Sequence, residues 1–268
     1  MRLQKSPLRY PGGKSRAVQQ IASYLPTELS EYREPFVGGG SFFLYMKQHY
    51  PHIPIWINDL NPELYLFWKH TQLDSERLAQ EIKSIKDSTS DGKGLFYELL
   101  LATSLNDIER ATRFFILNRV TFSGVVEAGG YSQLAYQGRF THSAIERVAK
   151  LGPLLEGVTI TNLDYRATLF DGDQTTFTFL DPPYYLASKL YGKHGDLHTA
   201  FDHAAFAQAM PACHHSWLIT YDDSPTIRAN FSFAHIVPWE LQYGMNNYKQ
   251  KTARKGHELF ITNLCQNR

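Results

Sequence analysis

Hydrophobic positions along this chain recur at two spacings, and the two alternate in blocks. Short, unbroken runs of bulky and β-branched residues occur at Ile53 to Asp59, Val158 to Asn162, Phe177 to Leu180, Trp217 to Tyr221 and Leu259 to Asn263. Such runs predict strands, with Phe177 to Leu180 a buried one. Tyr32 to Ser41 reads as the end of another strand, a glycine loop and the start of a helix that continues from Phe42 to Gln48. Between residues 64 and 155 the pattern changes to helical spacing, at Glu63 to Lys69, Ser75 to Ile85, Asn106 to Arg119 and Ser143 to Leu151. Asn106 with Glu109 gives an N-cap and an acid in the first turn, and Gly152-Pro153 is a stop signal. Thr121 to Thr141, rich in glycine and tyrosine, predicts a hairpin or a long loop. The expected architecture is an α/β domain built from residues 1–63 and 156–268, interrupted by a mostly helical insertion over 64–155.

Composition narrows the class. With 43% hydrophobic and 20% charged residues the chain belongs with soluble globular proteins. It has no apolar run of membrane-spanning length, and its N-terminus lacks a signal-peptide core. Cys213 and Cys265 form neither a metal spacing nor a disulfide framework, so a reducing cytoplasm is the natural setting. The net charge of +1 is uninformative, but the basic residues are clustered. Arg2, Lys5, Arg9, Lys14 and Arg16 form one acid-free stretch, and Lys249, Lys251, Arg254 and Lys255 form another. Arg110, Arg113, Arg119, Arg139 and Arg147 make a third basic group. Patches of this kind fit a phosphate backbone gripped on one face, although a charge run is also ordinary solvated surface.

The candidate chemistry centres on Asp181-Pro182-Pro183-Tyr184, which directly follows the strand Phe177 to Leu180. In open α/β sheets ligands bind beyond the carboxyl ends of the strands. A carboxylate and a free backbone carbonyl can each accept one N–H of an amine while an aromatic ring stacks on the base that bears it. An Asp-Pro-Pro surface turn is the plain alternative. Asp59 ends a strand 21 residues after Gly38, about where an acid meets ribose hydroxyls in a Rossmann-type unit. The dinucleotide fingerprint fails, since its third glycine falls on Phe43. The P-loop fails too, since its first glycine falls on Leu8. The cofactor should therefore be a nucleoside without a pyrophosphate.

Four motifs occur in a fixed order: Pro7-Leu8-Arg9-Tyr10-Pro11-Gly12-Gly13-Lys14, Glu34-Pro35-Phe36-Val37-Gly38-Gly39-Gly40-Ser41, Asn58-Asp59 and Asp181-Pro182-Pro183-Tyr184. Together they make the chain resemble the Dam-like DNA adenine-N6 methyltransferases, from about Ser6 to Asn263. The resemblance implies a Rossmann-like methyltransferase sheet with an inserted DNA-recognition domain, S-adenosylmethionine as methyl donor, and double-stranded DNA as substrate. A cognate restriction endonuclease acting on the same site is a possible partner of such an enzyme. Carried onto this chain, the resemblance puts Tyr10, Lys14, Phe36, Gly38, Gly40 and Asp59 at the cofactor, with Asp164 and Tyr165 near its adenine. Asp181, Pro182, Pro183 and Tyr184 form the catalytic segment, with Asp181 also reaching the cofactor site.

Adenine's exocyclic amine is a weak nucleophile because its lone pair is delocalised. Asp181 and the Pro182 carbonyl would favour a pyramidal nitrogen, and Tyr184 would stack on a base flipped out of the duplex. No cysteine is placed for attack on cytosine C5, and the histidines, His214-His215 included, show no zinc pattern. Asn118-Arg119-Val120-Thr121-Phe122-Ser123-Gly124 resembles the family's run preceding the groove-reading residues, with Ser123 in place of asparagine. Candidate DNA contacts are Arg9, Asn118, Arg119, Ser123, Glu127, Arg139, Lys249 and Lys251. Arg119 reads equally as a helix C-terminal charge, and Asn246 to Lys251 as a loop over the DNA. Glu127 could accept from cytosine N4, so a GATC target is not assumed. Competing expectations are an N4-cytosine or RNA-adenine methyltransferase, a silent DNA-binding module and a nucleotide-dependent oxidoreductase.

Overall fold

Burial on both faces explains why the central strands are continuous apolar runs. In the computed structural model, which describes residues 3–10, 12–126, 129–186, 201–242 and 255–264, Thr176–Leu180 and Ser216–Asp222 are buried at every position. The strands are β1 (Glu31–Glu34), β2 (Ile55–Asn58), β3 (Thr159–Thr161), β4 (Thr176–Leu180), β5 (Ser216–Asp222), β6 (His235–Gln242) and β7 (Lys255–Thr262). They form one seven-stranded sheet in the order β3-β2-β1-β4-β5-β7-β6. Strands β1 to β5 are parallel, and β7 runs antiparallel between β5 and β6. This is a mixed α/β sheet of the Rossmann-like methyltransferase type. The order reverses at β1 and β4, so a crevice opens beyond their carboxyl ends.

The helices are α1 (Val18–Ala22), α2 (Ser41–His49), α3 (Pro62–Ser88), α4 (Gly92–Leu101), α5 (Asp107–Val120), α6 (Gln133–Arg139), α7 (His142–Ala149), α8 (Gly152–Leu155), α9 (His203–Ala209) and α10 (Pro225–Asn230). The two helices expected over 63–69 and 75–85 are one element, α3, kinked at Asp74, which has non-helical backbone angles. Asn61 caps α3 by accepting from the N–H groups of Glu63 and Leu64, and Pro62 occupies the first turn, where a missing donor costs nothing. The Asn106–Glu109 pair forms a full capping box on α5.

Gly152-Pro153, expected to stop a helix, instead opens the short α8, again with proline in the first turn. Thr121 to Thr141, expected as a hairpin or a long loop, is closed by antiparallel pairing at its start and continues into a helix among the described residues. It holds a 3-10 turn at Phe122–Gly124, a single bridge between Thr121 and Tyr131, and α6.

A continuous core links the sheet to the helices between β2 and β3. Tyr32, Phe42, Phe177 and Phe179 belong to the same buried cluster as Phe67, Trp68 and Phe115. Phe67 and Phe115 stack at 5.8 Å, joining α3 to α5. Glu63 adds two ion pairs across the same contact, to Arg110 (2.5 Å) and Arg113 (2.9 Å). A second cluster, with Phe206, Tyr221, Ile227 and Phe231, covers the other side of β5 and β7. Among the described residues no helix is long and apolar enough to cross a membrane.

Candidate active site

The crevice at the reversal point is a cleft with about 800 Å³ of space, counting the solvent at its open mouth. β1 delivers Glu34 to it, and the loop Pro35 to Gly40 turns into α2 along its floor. Gly38 and Gly40 have φ of +46° and +67°, and a side chain at either would strike a ring. At Gly38 a Cβ would lie 2.8 Å from the Tyr10 ring, and at Gly40 2.4 Å from Phe43. The glycines therefore serve the packing behind the loop as well as any ligand in front of it. Trp68, on α3, donates from Nε1 to the Gly38 carbonyl at 3.1 Å and props the loop from below.

Asp59 follows β2 and closes the cleft's second wall. Its carboxylate accepts from the N–H of Gly38 and of Asn61, each at 3.0 Å. Burial pushes its pKa up to about 6, against the lowering effect of those two amides. Glu34 is buried deeper. Burial raises its pKa to about 8, opposed by the Tyr32 hydroxyl, which donates to it at 2.5 Å, and reinforced by the nearby Asp181 charge. Near neutral pH Glu34 is therefore mostly protonated.

Asp181 lies just past β4. Lys14, itself 4% exposed, puts its ammonium 2.8 Å from one carboxylate oxygen and 3.0 Å from the other. The same ammonium donates to the Gly12 carbonyl at 2.8 Å. Thr220, on β5, donates to Asp181 at 2.6 Å. Tyr184 lies alongside: the Lys14 ammonium sits 4.8 Å from its ring centroid, and its hydroxyl donates to Glu258 of β7 at 2.6 Å. Pro183 lines the cleft and Pro182 is buried behind it. A carboxylate and a cation thus line the cleft, with an aromatic ring alongside them.

On the other side of segment 7–14 stands α5. Asn118, fully buried, holds the backbone of Arg9 at both ends: it accepts from the Arg9 N–H at 2.9 Å and donates to the Arg9 carbonyl at 2.7 Å. It also donates to the Gly124 carbonyl at 3.0 Å. Arg119 is 5% exposed and spends its guanidinium on the carbonyls of Pro7 and Arg139. Burial lowers its pKa, and so do the neighbouring guanidiniums of Arg147, Arg9 and Arg139. Arg9 reaches the Thr121 carbonyl at 3.3 Å, Arg139 is exposed, and Ser123 is half-buried at the turn with φ of +58°.

Comparisons with known proteins identify the family. The model of the D12 class N6 adenine-specific DNA methyltransferases matches residues 10–245. The chain belongs to that family. It is 30% identical over 197 residues to the type II methyltransferase M.MjaIII of Methanocaldococcus jannaschii, an alignment covering 66% of this chain and 68% of that one. It is 22% identical to the type II methyltransferase M.CviBI of Paramecium bursaria Chlorella virus NC1A, over 97% of this chain and 98% of the other. It is also 24% identical to the DNA adenine methylase of Vibrio cholerae, over 69% and 66% of the two chains. The protein is an adenine-specific DNA methyltransferase, and its chemistry requires a methyl donor.

Within the methyltransferase, Tyr10, Lys14, Phe36, Gly38, Gly40, Asp59, Asp181 and Pro183 line one cleft. Asp164 and Tyr165 are not among its lining residues. The Asp164 carboxylate caps the turn that follows it and pairs with Arg166 at 3.4 Å, while Tyr165 packs behind Phe36 at 5.5 Å. Asn118 and Arg119, expected to face DNA, are buried and hold the backbone of segment 7–9 in place. Glu127, Lys249 and Lys251 lie outside the described residues. Sequence reading passed over Glu34, Thr220 and Glu258. Glu34 had a signal, being an acid at a strand end just before the glycine loop. Thr220 and Glu258 had none, because only strand pairing carries them to Asp181 and Tyr184. Among the described residues no cluster of three or more His, Cys, Asp or Glu could hold a metal ion.

Proposed function

We propose that the enzyme transfers a methyl group from S-adenosylmethionine to the N6 amine of an adenine flipped out of double-stranded DNA at a specific site. The observation that carries this reading is Asp181, held by Lys14 and Thr220 at the mouth of a cleft whose walls are the glycine loop and Asp59. The residues fit the donor. Asp59 suits ribose hydroxyls, Lys14 suits a carboxylate, and the side-chain-free loop from Gly38 to Gly40 leaves room for an adenosine. When bound, S-adenosylmethionine supplies a methyl group already activated for transfer.

The chain's own residues do the rest. Asp181 accepts one N–H of the target amine and the Pro182 carbonyl accepts the other, which directs the nitrogen lone pair at the incoming methyl. The Asp181 carboxylate also stabilises positive charge as it develops on nitrogen. Tyr184 stacks on the extruded base, and Pro183, lacking an N–H, offers no competing donor. The proton released afterwards passes from the methylated amine to solvent at the open mouth of the cleft.

DNA lies across the face formed by Arg9, the turn at Ser123, and Arg139, whose mutual repulsion with Arg119 and Arg147 a phosphate backbone relieves. Asn118 and Arg119 act from behind that face. Residues 64–155 serve as the target-recognition region, with Glu127, Lys249 and Lys251 as further contacts. Because two of the relatives are type II methyltransferases, a restriction endonuclease cutting the same site is a fitting partner, in the cytoplasm.

The test is methylation of unmethylated genomic DNA by the purified protein with S-adenosylmethionine, read by single-molecule sequencing. N6-methyladenine confined to one short motif is expected. Methylation of cytosine N4, or of RNA alone, would overturn the substrate assignment.

A further inference from the structure

The rung that joins Asp222 to Glu258 is unusual. The two residues are directly opposite in the antiparallel pairing of β5 with β7, and both are buried, at 9% and 1% exposure. Like charges placed directly opposite across strands are destabilising, and burying carboxylates adds a desolvation cost. A sequence keeps such a local conflict where function draws on it. Both carboxylates are spent on the residues that follow Pro183. Glu258 accepts the Tyr184 hydroxyl at 2.6 Å, while Asp222 accepts the N–H of Tyr185 at 2.6 Å and of Leu186 at 3.3 Å. One acid thus fixes a side chain and its partner fixes the backbone that directly follows it.

Resting on the reading that Tyr184 stacks on the target adenine, we propose that Glu258, with Asp222 beside it, is a positioning residue for methyl transfer. It clips the Tyr184 hydroxyl and so fixes the plane against which the flipped base stacks. Without that anchor the ring, attached beyond two prolines on a half-exposed segment, can turn about its own torsions. Its other neighbours are Thr220, which also hydrogen-bonds the Tyr184 side chain, the Tyr221 ring, 6.0 Å away at 32°, and the Lys14 ammonium, 4.8 Å from the ring centroid. The hydroxyl is therefore needed for orientation although it takes no part in the chemistry, and phenylalanine at position 184 is not equivalent to tyrosine.

The experiment is a double-mutant cycle on kcat with Tyr184→Phe and Glu258→Ala, using duplex DNA that carries the enzyme's own methylation motif. Binding of S-adenosylhomocysteine by calorimetry serves as the control for folding. Each single variant is expected to lose about tenfold in kcat, as for a small misplacement of a reacting group. The double variant should lose no more than Tyr184→Phe alone, because the Tyr184–Glu258 contact is already gone in that variant. Glu258→Gln, whose amide oxygen still accepts the hydroxyl, should recover most of the loss. The fluorescence of 2-aminopurine at the target position should rise in the anchored enzymes less than in the unanchored ones, since stacking quenches it.

Wild-type kcat in Tyr184→Phe, or losses that multiply in the double variant, would overturn the proposal. If Glu258→Ala fails to bind S-adenosylhomocysteine, the cycle of Tyr184→Phe with Glu258→Gln decides: wild-type kcat in Tyr184→Phe overturns the clip, and a loss there with near-normal Glu258→Gln upholds it. Tyr184→Ala separates the two layers. Full activity in that variant removes the stacking reading itself, whereas a dead Tyr184→Ala beside a normal Tyr184→Phe removes only the clip.

Discussion

In the cleft the Asp181 carboxylate meets the Lys14 ammonium at 2.8 Å. Across segment 7–14, by contrast, the Arg119 guanidinium faces the like charges of Arg9, Arg139 and Arg147. The first region settles its charge internally and keeps two further acids, Glu34 and Asp59, shifted toward neutrality by burial. It is prepared for a small ligand that brings both signs of charge. Among the described residues the second region pairs none of these arginines with an acid, a cost that a polyanion removes on binding. The same backbone segment serves both, since Lys14 enters the cleft and Arg9 is held against α5. Affinity for DNA and catalytic power should therefore separate cleanly on mutation.

Asp181→Ala is the sharpest test of that separation. It should lower turnover by on the order of a thousandfold or more, while DNA affinity, measured by fluorescence anisotropy, stays within a few-fold of wild type. Asn118→Ala attacks the join between the two regions. It strips partners from the Arg9 N–H, the Arg9 carbonyl and the Gly124 carbonyl. A stability loss of about 2–3 kcal/mol is expected by chemical denaturation, together with weaker DNA binding. Normal stability in this variant would mean that the segment is held elsewhere.

Arg139→Ala and Arg147→Ala should do the reverse of Asp181→Ala. Each is expected to reduce the slope of log K against log salt by about one and to leave kcat at saturating DNA unchanged. An unchanged salt slope in both would move the DNA to another face.

The last effect expected is one of pH. Native Glu34 keeps its proton up to about pH 8, whereas its ordinary pKa is 4.5. Between those values the folded chain binds more protons than the unfolded chain, so stability falls as pH rises through that window. Glu34→Gln should remove a slope on the order of 1 kcal/mol per pH unit, read from denaturation midpoints at pH 5 through 9. Equal slopes in the two proteins would mean that Glu34 is ionised when folded.

Much of this was legible along the chain, for reasons that differ by element. Strands β4 and β5 are buried on both faces, and so are written as unbroken apolar runs. Strand β6 was not seen because it is an edge strand, tolerates Pro238 and mixes polar with apolar positions. The cap of α5 was readable because its partners are three residues apart. The packing of Arg9 against Gly124 was not, because the two lie far apart in sequence. Asn118 and Arg119 carried a motif without revealing that their polar groups point inward, to the backbone of residues 7 to 9.

What the sequence determined alone was therefore the local chemistry: a strand ending in Asp181-Pro182-Pro183-Tyr184, a glycine loop after Glu34, and an acid at Asp59. Each is encoded by neighbours in the chain, and backbone sterics and burial act on neighbours first. The tertiary structure alone decided which distant groups complete them. Lys14 reaches Asp181 across 167 positions and Tyr184 reaches Glu258 across 74. Those partnerships depend on strand order and register, which arise from the packing of the whole sheet and leave no periodic mark in any one segment.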